Sequence, residues 1–589
     1  MSLKKAFIIG AFLLGTFLLA SPGFSQVSLV PAHHQVYDWL HLQRVKGNIS
    51  NYSYESLPLS RGQILTFLDE LSEKEPSLND TDRKLLDWYQ REFSPEYIPL
   101  DNPNTYLQGW QKDLKGSIKS KFDLLLSDEE PHLYALRKEH LYTVFDYSFS
   151  GGLIGVDDPA NSVDELSELN NFIIRGYGSV YNTFGWHAEI SNPLVGEAGL
   201  LRYHPEWGQT FDGSNPEKSA AFFAEAFFSV QYKQIGLHIG NGDLKYGFRG
   251  HEAQILRQDA GNFDWVRLNF DTKYLRYTLI HGALRSETSV IDVDGYPGVV
   301  SRVSPDRWFA LRRIQLTPAK WISMAFTESL IYSNRTVELS YINPLLPLRF
   351  GEYETLDKDN PLWFFDGAIR PMNNLELYGT LGIDDILSLG DIFRGSSKRI
   401  ANSGTVSYQT GFNLGLPTST LINAEVLQLD PYFYSHWQFF NTYDELGSPL
   451  GASIGPNSRQ FHYSIRQWLP WRSFVEVSLQ SVKKGYNEVD ENGRLLVDVG
   501  GDIFTGITGT NGEEVGLFAG EVHKWKNLNI ELEFEPIRGI RLFGKYTHRF
   551  VNRGSQIQDL NFFYGGIEFN FYPAIPNILG TIPGTNLIF

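Results

Sequence analysis

The chain has 589 residues, of which 42% are hydrophobic and 14% aromatic, with a mean hydropathy of −0.25 and a formal net charge of −17. So acidic a chain is a poor general binder of nucleic acid, and without cysteine it can form neither a disulfide nor a lipid anchor attached through a thiol. Beyond its first residues it has no run of about eighteen apolar residues, so a transmembrane helix is not expected there.

The first residues have the pattern of a secretory signal. Lys4 and Lys5 precede an apolar stretch over residues 6–20, and a small-residue cleavage site follows at 23–25. We therefore predict a signal peptide over residues 1–25, and export from the cytoplasm. An uncleaved N-terminal anchor is the alternative interpretation.

Residues 26–110 have the period of helices rather than strands. Apolar side chains recur at helical spacing in three stretches, residues 36–43, 61–71 and 81–93. Ser60 stands three residues before Gln63, as in the capping box that begins a helix. We predict a small helical module over residues 26–110, located in the periplasm.

From about residue 111 the two-residue period of β-strands dominates. In Leu528–Glu535 every even position is apolar and every odd position is polar or acidic. A short turn at residues 536–539 precedes a second alternating arm over 540–550. Each arm has about ten residues, the length of a strand that crosses a bilayer at a tilt. The pattern predicts a hairpin with one apolar and one polar face.

Alternating segments recur about 18 times along the chain, separated by tight reversals and long loops rich in Gly, Pro, Asn and Asp. We predict a mainly β fold, a transmembrane antiparallel β-barrel of about 18 strands with long extracellular loops, over residues 111–573 in the outer membrane. Residues 574–589 form a C-terminal tail with no predicted role. The expected partners are outer-membrane lipid and, during insertion, the barrel-assembly machinery, and we expect a monomer.

Three short motifs stand in the middle of the chain. They are Val337–Leu345, with its Tyr-x-Asn-Pro-Leu element, Asp359–Leu362, and Leu375–Asp385, which ends in Asp-Asp. Together they resemble the capsule assembly Wzi family, outer-membrane lectin barrels that hold capsular polysaccharide at the cell surface. The resemblance implies a barrel of about 18 strands with a sugar-binding outer face.

The stretch over residues 341–372 is rich in proline and aromatic residues, and because proline is excluded from the middle of a β-ladder we predict a loop there. Aromatic rings beside a carboxylate suit a polysaccharide, since sugar rings offer apolar faces and hydroxyl groups. We therefore predict polysaccharide-binding side chains at Trp363, Phe364 and Asp366. The alternative is that these aromatic residues pack the loop into the lumen.

A second aromatic cluster contains Tyr432, Tyr434 and Trp437, which we also predict as polysaccharide-binding residues. Trp and Tyr also settle at the lipid headgroup level, so an interfacial girdle is the competing interpretation. The girdle interpretation is stronger for Trp468 and Trp471, which flank a tight Leu-Pro turn.

Neither a metal site nor a catalytic motif is evident. Asp384 and Asp385 are adjacent, so on a strand their carboxylates point to opposite faces. His33, His34 and His41 lack a fourth ligand at a metal-site spacing. Gly-x-Ser-x-Gly, phosphate-loop and His-Glu-x-x-His motifs are absent from the sequence. We predict no enzyme activity, no cofactor and no metal.

We interpret the chain as a non-enzymatic outer-membrane barrel that binds surface polysaccharide, capsular or exopolysaccharide, and helps assemble or retain it at the cell surface. Charged side chains such as Glu531, Glu533 and Arg541 fall on the predicted lumen face, where ion pairs would fill and close the lumen. Two alternatives belong to other classes. A porin or solute transporter predicts ion conductance, and an outer-membrane hydrolase predicts turnover.

Overall fold

The computed structural model describes most of the chain that follows the predicted signal peptide. The described residues are 26–98, 132–159, 163–195, 223–248, 252–258, 260–285, 289–292, 300–303, 305–355, 358–384, 398–400, 405–491, 494–503, 514–553 and 556–570. The predicted signal peptide, the C-terminal tail and the module boundary at residue 110 lie outside these residues, so the domain limits stay predictions.

Within the described residues, nineteen strands form one closed antiparallel barrel. They are β1 (Tyr134–Lys138), β2 (Leu141–Asp158), β3 (Val163–Val180), β4 (Phe184–Val195), β5 (Phe223–Tyr232), β6 (Ile235–Asn241), β7 (Asp264–Asp271), β8 (Leu275–Leu284), β9 (Arg307–Ala319), β10 (Ile322–Ser333), β11 (Asn360–Met372), β12 (Leu375–Asp384), β13 (Thr405–Leu416), β14 (Thr420–Leu429), β15 (Ser458–Leu469), β16 (Ser473–Tyr486), β17 (Glu521–Ile537), β18 (Ile540–Arg553) and β19 (Gln556–Asn570).

The first and last of these strands share one position in the wall. Strand β19 pairs with residues 148–157 of β2, and the short β1 pairs with residues 141–145 along the same edge. The two strands therefore close the ring together, and the described part of the chain forms an eighteen-stranded barrel. The predicted fold class is confirmed.

The two-residue alternation places apolar side chains outside and polar side chains inside. On β17, Ile530 and Leu532 are each 41% exposed on the outer face, whereas Asn527 and Glu535 are buried in the lumen. The predicted hairpin is present, and its strands are longer than expected, with 17 residues in β17 and 14 in β18.

The two ends of the barrel differ in their connections. Turns of a few residues join strands at one end, the short-turn end, for example at residues 139–140, 233–234 and 320–321. Long connections join them at the other, the long-loop end, for example residues 196–222 and 487–520. Small two-stranded sheets outside the wall pair Ser56–Leu57 with Lys245–Tyr246, Ser289–Asp292 with Val300–Val303, Lys398–Ile400 with Glu514–Gly516, Asp444–Glu445 with Ser448–Pro449, and Glu488–Val489 with Leu495–Val497.

Three helices form the N-terminal module, and they coincide with the predicted stretches. They are α1 (Val36–Val45), α2 (Arg61–Ser72) and α3 (Asp80–Phe93). The predicted capping box begins α2, with Ser60 and Gln63 bonding each other's backbone. Asn79 caps α3 by accepting a hydrogen bond from the Asp82 backbone N–H. None of the described helices is both long and apolar enough to cross a membrane.

The module packs onto the short-turn end of the barrel. The Asn79 side-chain amide donates a 2.8 Å hydrogen bond to Ser419 in the turn between β13 and β14. The Arg538 guanidinium, in the turn between β17 and β18, lies 4.0 Å from the Trp88 ring centroid. The Asn374 backbone N–H, between β11 and β12, donates to the Val45 carbonyl at 2.9 Å. Three different turns thus hold the helices against the wall.

Buried charges fix the module more firmly than these turn contacts. The Glu376 carboxylate on β12 is fully buried and lies 2.9 Å from His41 Nε2, 2.9 Å from Arg44 Nη2 and 2.8 Å from Arg370 Nη1. Arg44 also forms a 2.7 Å ion pair with Glu55 of the module. A buried charge is stable only when it is paired, so α1 has to lie against β12 for these groups to be tolerated.

We predict that Glu376→Gln destabilises the docking of the module by about 3–5 kcal/mol, because Arg44 and Arg370 then lose a buried carboxylate. The thermal unfolding midpoint and the resistance of residues 26–98 to protease should both fall in detergent micelles. Glu488→Gln, a change at an exposed glutamate at the long-loop end, serves as the control. An unchanged midpoint in Glu376→Gln would contradict this account of docking.

The module should also loosen in acid. Burial raises the pKa of Glu55, but Arg44 outweighs burial and holds that pKa below its ordinary value. Burial likewise raises the pKa of Glu92, and Arg472 with His34 brings it well below the usual range. Carboxyl groups with depressed pKa values contribute stability that is complete above the unfolded value, about 4.3, and is lost as the pH falls below it.

We therefore expect the unfolding midpoint of the module to fall progressively as the pH is lowered below about 4.3. Thermal melts followed by tryptophan fluorescence across this range would measure the effect. Glu55→Gln should lower the midpoint at neutral pH and flatten its decline in acid. A midpoint that is constant down to the lowest pH would show that these carboxylates carry no docking energy.

Candidate functional site

The structure does not bring the six predicted polysaccharide-binding residues together. The prediction of a loop over residues 341–372 is wrong for its second half, because residues 360–372 form the barrel strand β11. Pro361 is tolerated because it is the second residue of the strand, near its end. Successive side chains on β11 point to opposite faces, so Phe364 lies in the lumen and Trp363 lies on the outer wall.

Asp366 forms a buried structural ion pair within the barrel. Its carboxylate accepts two 2.6 Å hydrogen bonds from the Arg313 guanidinium on β9, in a bidentate ion pair. Both side chains are 1% exposed. A carboxylate with both oxygens already held by one arginine has little capacity left for a sugar hydroxyl.

Tyr434, at 0% exposure, is buried in the lumen cluster, and Tyr432, at 2%, is buried against the connection between β16 and β17, so the interfacial girdle interpretation is wrong for both. Alternation predicts where a strand's side chains point but not which way a loop folds, and this loop folds inward. Tyr434 stacks on Tyr443 at 5.2 Å between ring centroids. Phe433 makes edge contacts with Tyr434 at 4.5 Å and with Phe364 at 6.4 Å. Phe364 and Tyr434 therefore belong to one buried aromatic cluster.

The loop that carries these tyrosines forms a cap, residues 430–457, at the long-loop end. Arg307 at the start of β9 donates to the Asp444 carboxylate at 2.8 Å and to the Thr442 carbonyl at 2.7 Å. Arg285, just after β8, forms a 2.6 Å ion pair with Glu445. The cap is thus tied to the wall by charged contacts.

A second loop packs in the lumen beneath the cap; we call its described residues, 242–248, 252–258 and 260–263, the inward loop. The Gln254 carbonyl accepts a 2.6 Å hydrogen bond from the Tyr434 hydroxyl, and the Ile255 carbonyl accepts one of 2.7 Å from Tyr443. On the wall, Gln409 of β13 donates to the Glu252 carbonyl at 2.7 Å. Cap and inward loop are therefore one packed unit.

The inward loop also reaches the helical module. Lys245–Tyr246 pairs with Ser56–Leu57 of the module as a small antiparallel sheet. The Gly247 backbone N–H donates to the Glu55 carbonyl at 3.0 Å, and the Lys245 ammonium lies 3.0 Å from the centroid of the Tyr54 ring. Module, inward loop and cap make a continuous column through the lumen. Its described residues are joined by contacts from the module at the short-turn end to the cap at the long-loop end.

Trp437 differs from the other five predicted residues because it is exposed at the long-loop end. Its side chain is 55% exposed, and the turn that follows it is anchored by Asn441. The Asn441 side-chain oxygen accepts from Ser333 at 2.6 Å, its amide donates to the Lys358 carbonyl at 2.8 Å, and its carbonyl accepts from Asn360 at 2.8 Å. Trp437 is a large aromatic surface on an anchored turn, which suits stacking against the apolar face of a sugar ring.

The remaining predicted features occupy structural positions. Trp468 is 2% exposed and packs against the module, so the girdle interpretation is wrong there, whereas Trp471 is 39% exposed in its turn. Asp384 is buried and accepts the Tyr434 backbone N–H at 2.7 Å. His34 contacts Glu92. In the part of the chain that the structure describes, no group of three or more His, Cys, Asp or Glu side chains is arranged to hold a metal ion.

Comparison with solved structures identifies the fold. The chain superposes on Wzi of Escherichia coli with a TM-score of 0.54 and 14% sequence identity, covering 92% of this chain and 99% of that one. The fold is that of Wzi. That protein is described as an outer-membrane protein involved in group 1 capsule assembly and as a carbohydrate-binding β-barrel. No protein-family model and no curated protein matches the sequence.

Two further barrels show weaker similarity. OccK1 (OpdK) of Pseudomonas aeruginosa has a TM-score of 0.41 with 11% identity, covering 73% of this chain and 98% of that one. OprD of the same organism has a TM-score of 0.39 with 12% identity, covering 73% of this chain and 95% of that one.

Sequence reasoning missed the residues that build the column. Tyr443, Gln254 and Arg44 contact partners about 180 to 330 positions away along the chain, so these contacts depend on how the barrel closes. The sequence gives little indication that Arg44 is buried, because an arginine in an amphipathic helix is equally compatible with solvent exposure. The exposed Trp437 was accessible to prediction, because aromatic residues clustered after a strand mark a loop with a binding or packing role.

We predict that Trp437→Ala weakens binding of polysaccharide purified from the surface of the producing cell by about 2- to 12-fold, since a stacking contact on an aromatic ring is worth about 0.5–1.5 kcal/mol. The thermal midpoint should not change, because the side chain is half exposed. Trp321→Ala is the matched control, being 56% exposed in a turn at the short-turn end. Equal affinities for the two variants would remove Trp437 from the site.

Proposed function

We propose that this protein is a non-enzymatic outer-membrane barrel that binds surface polysaccharide at its long-loop end and helps assemble or retain it at the cell surface. Outer-membrane barrels carry short turns in the periplasm and long loops outside the cell. By that rule we infer that the helical module lies in the periplasm and the cap on the cell surface. Trp437 would then face the extracellular medium, where a surface polysaccharide lies.

The observation that carries the proposal is an exposed tryptophan on an anchored turn of a cap that packs on the inward loop in the lumen. A transport function needs a path, whereas a binding function needs a rigid surface. Here the lumen is used for ion pairs such as Arg313 with Asp366 and for main-chain contacts to the inward loop. Rigid support reduces the entropy that a binding site loses when the ligand is bound.

The fold supports the same proposal. The Wzi barrel, whose superposition covers 92% of this chain, is described as carbohydrate-binding and as involved in capsule assembly. Fold does not determine function, since sites change while scaffolds persist. The local geometry around Trp437 therefore supplies the specific support for carbohydrate recognition, and the shared fold supplies the setting.

We predict that the purified protein conducts negligibly in planar lipid bilayers, because the column occupies the lumen. Replacing residues 244–258 with a short Gly-Ser linker should produce conductance steps. The linker variant is the positive control for insertion. Stable steps from the intact protein would contradict the proposal and favour a porin or transporter.

A further inference from the structure

The segment between β10 and β11 packs on the outer face of the barrel. We call residues 334–355 the flap; it contains the helices α4 (Leu339–Ile342) and α5 (Leu348–Glu354). On β9 and β10 the outward positions near the short turn are exposed, with Ile314 at 43% and Met324 at 42%. Farther along the same faces, Ala310 and Leu330 are 0% exposed because the flap covers them.

An apolar cluster joins the flap to the wall. Tyr341 and Leu348 of the flap pack with Ala310, Leu330 and Tyr332 of the barrel's outer face, and all five are at most 1% exposed. The Tyr332 and Tyr341 rings lie 5.0 Å apart between centroids. This contact is a buried core outside the barrel, so the flap is held as firmly as an internal element.

The flap also covers polar groups on this part of the outer wall. Arg312 of β9 donates to the Ser340 carbonyl at 3.1 Å and to the Tyr341 carbonyl at 3.3 Å. Glu328 of β10 accepts the Leu348 backbone N–H at 3.1 Å. Arg312 and Glu328 are 6% and 7% exposed. Polar groups facing hydrocarbon are costly, so the flap removes them from contact with lipid.

Contacts at both ends and in the middle hold the flap on the wall. Near its start, the Arg335 carbonyl accepts a 3.0 Å hydrogen bond from the Trp308 indole. Asp359, just beyond its end, accepts hydrogen bonds from Arg335 and from the Tyr341 hydroxyl. In its middle, the Pro344 carbonyl accepts a 2.6 Å hydrogen bond from Tyr277 of β8.

The flap reaches down to membrane depth. Glu328 lies seven residues beyond Trp321 in the short turn. At about 3.4 Å per residue and a strand tilt of about 40°, that separation places it roughly 18 Å above the turn. The apolar band of such barrels is about 25 Å tall. The flap residues that contact Glu328 and Arg312 therefore lie beside the outer half of the bilayer.

The surface that the flap turns away from the barrel is largely apolar, with Asn343 and Glu354 as exposed polar residues. Leu345 is 90% exposed, Leu339 78%, Phe350 62% and Tyr353 58%. A patch of this kind in water would be a liability, but here it continues the exposed apolar band formed by Ile314 and similar residues of the outer wall.

We propose that the flap is a lipid-binding element, whose exposed face contacts acyl chains in the outer leaflet and whose inner face shields the polar groups of the wall. The continuity of the patch with the lipid-facing wall selects lipid over a second copy of the chain or another protein. This inference rests on the outer-membrane location in the proposed function.

The chain has no cysteine, so single cysteines carrying a spin label can test the proposal in the full-length protein in phospholipid vesicles. Labels would be placed at Leu345 and Phe350 of the flap. Ile465, 52% exposed on the outer face of β15, is the lipid control, and Leu496, 64% exposed at the long-loop end, is the aqueous control.

We expect oxygen to accelerate the relaxation of the spin labels on the flap, and a water-soluble nickel chelate to leave it unchanged, as for the label at Ile465. Relaxation by the chelate, as at Leu496, would overturn the proposal. Shielding from both reagents would also overturn it, since the patch would then be buried against protein. If the label at Ile465 itself met the chelate, the membrane location would fail independently of the flap.

A substitution gives a second measurement. Leu345→Asp should reduce the yield of protein folded into phospholipid vesicles several-fold and leave folding in detergent micelles unchanged, because a carboxylate is disfavoured in hydrocarbon. Leu496→Asp, the matched change at a residue exposed to water, should fold normally in both vesicles and micelles. Equal vesicle yields for the two variants would overturn the proposal.

Discussion

An eighteen-stranded barrel encloses more space than the side chains of its own wall can fill, and barrels of this size otherwise hold a water-filled channel. In this chain the space is occupied by other parts of the same polypeptide. Glu376 shows why the arrangement is stable, because its buried carboxylate is matched by Arg44 from the module and Arg370 from the wall. The module, the inward loop and the cap each depend on such matched contacts with the lumen.

Filling the lumen changes what the barrel can do. The wall provides a membrane scaffold, and the column supports the cap from within the lumen. The cap at the long-loop end is tied through Arg307 to the wall and through Tyr443 to the inward loop. A residue displayed on such a cap, as Trp437 is, has a defined position relative to the membrane. On the outer face, the flap covers polar residues of the wall where the surroundings are apolar.

The sequence was sufficient for the repetitive part of this structure. Alternation in residues 528–535 predicts the outward Ile530 and the inward Glu531, because the side-chain period of a strand is two residues whatever the rest of the fold does. Helical spacing and the Ser60 capping box predict α2 for a similarly local reason. These signals depend on neighbours within one element, and they are confirmed.

Contacts between distant loops were not predictable in this way. Pro361 suggested a loop, yet it stands at the start of a strand, where a missing N–H is tolerated. Tyr434 was compatible with either a membrane interface or the lumen, because an aromatic ring suits both. Its position depends on Gln254, which is far away along the chain. Of the predicted binding residues, Trp437 retains the exposure that carbohydrate binding requires.

The central claim, that the protein holds surface polysaccharide through Trp437, is tested most directly in cells lacking the protein. The carbohydrate bound to washed cells would be compared with that released into the medium, after complementation with the intact chain, Trp437→Ala or Trp321→Ala. The account predicts shedding in the deletion strain, restored retention with the intact chain and Trp321→Ala, and continued shedding with Trp437→Ala. Unchanged retention in the deletion strain would contradict it.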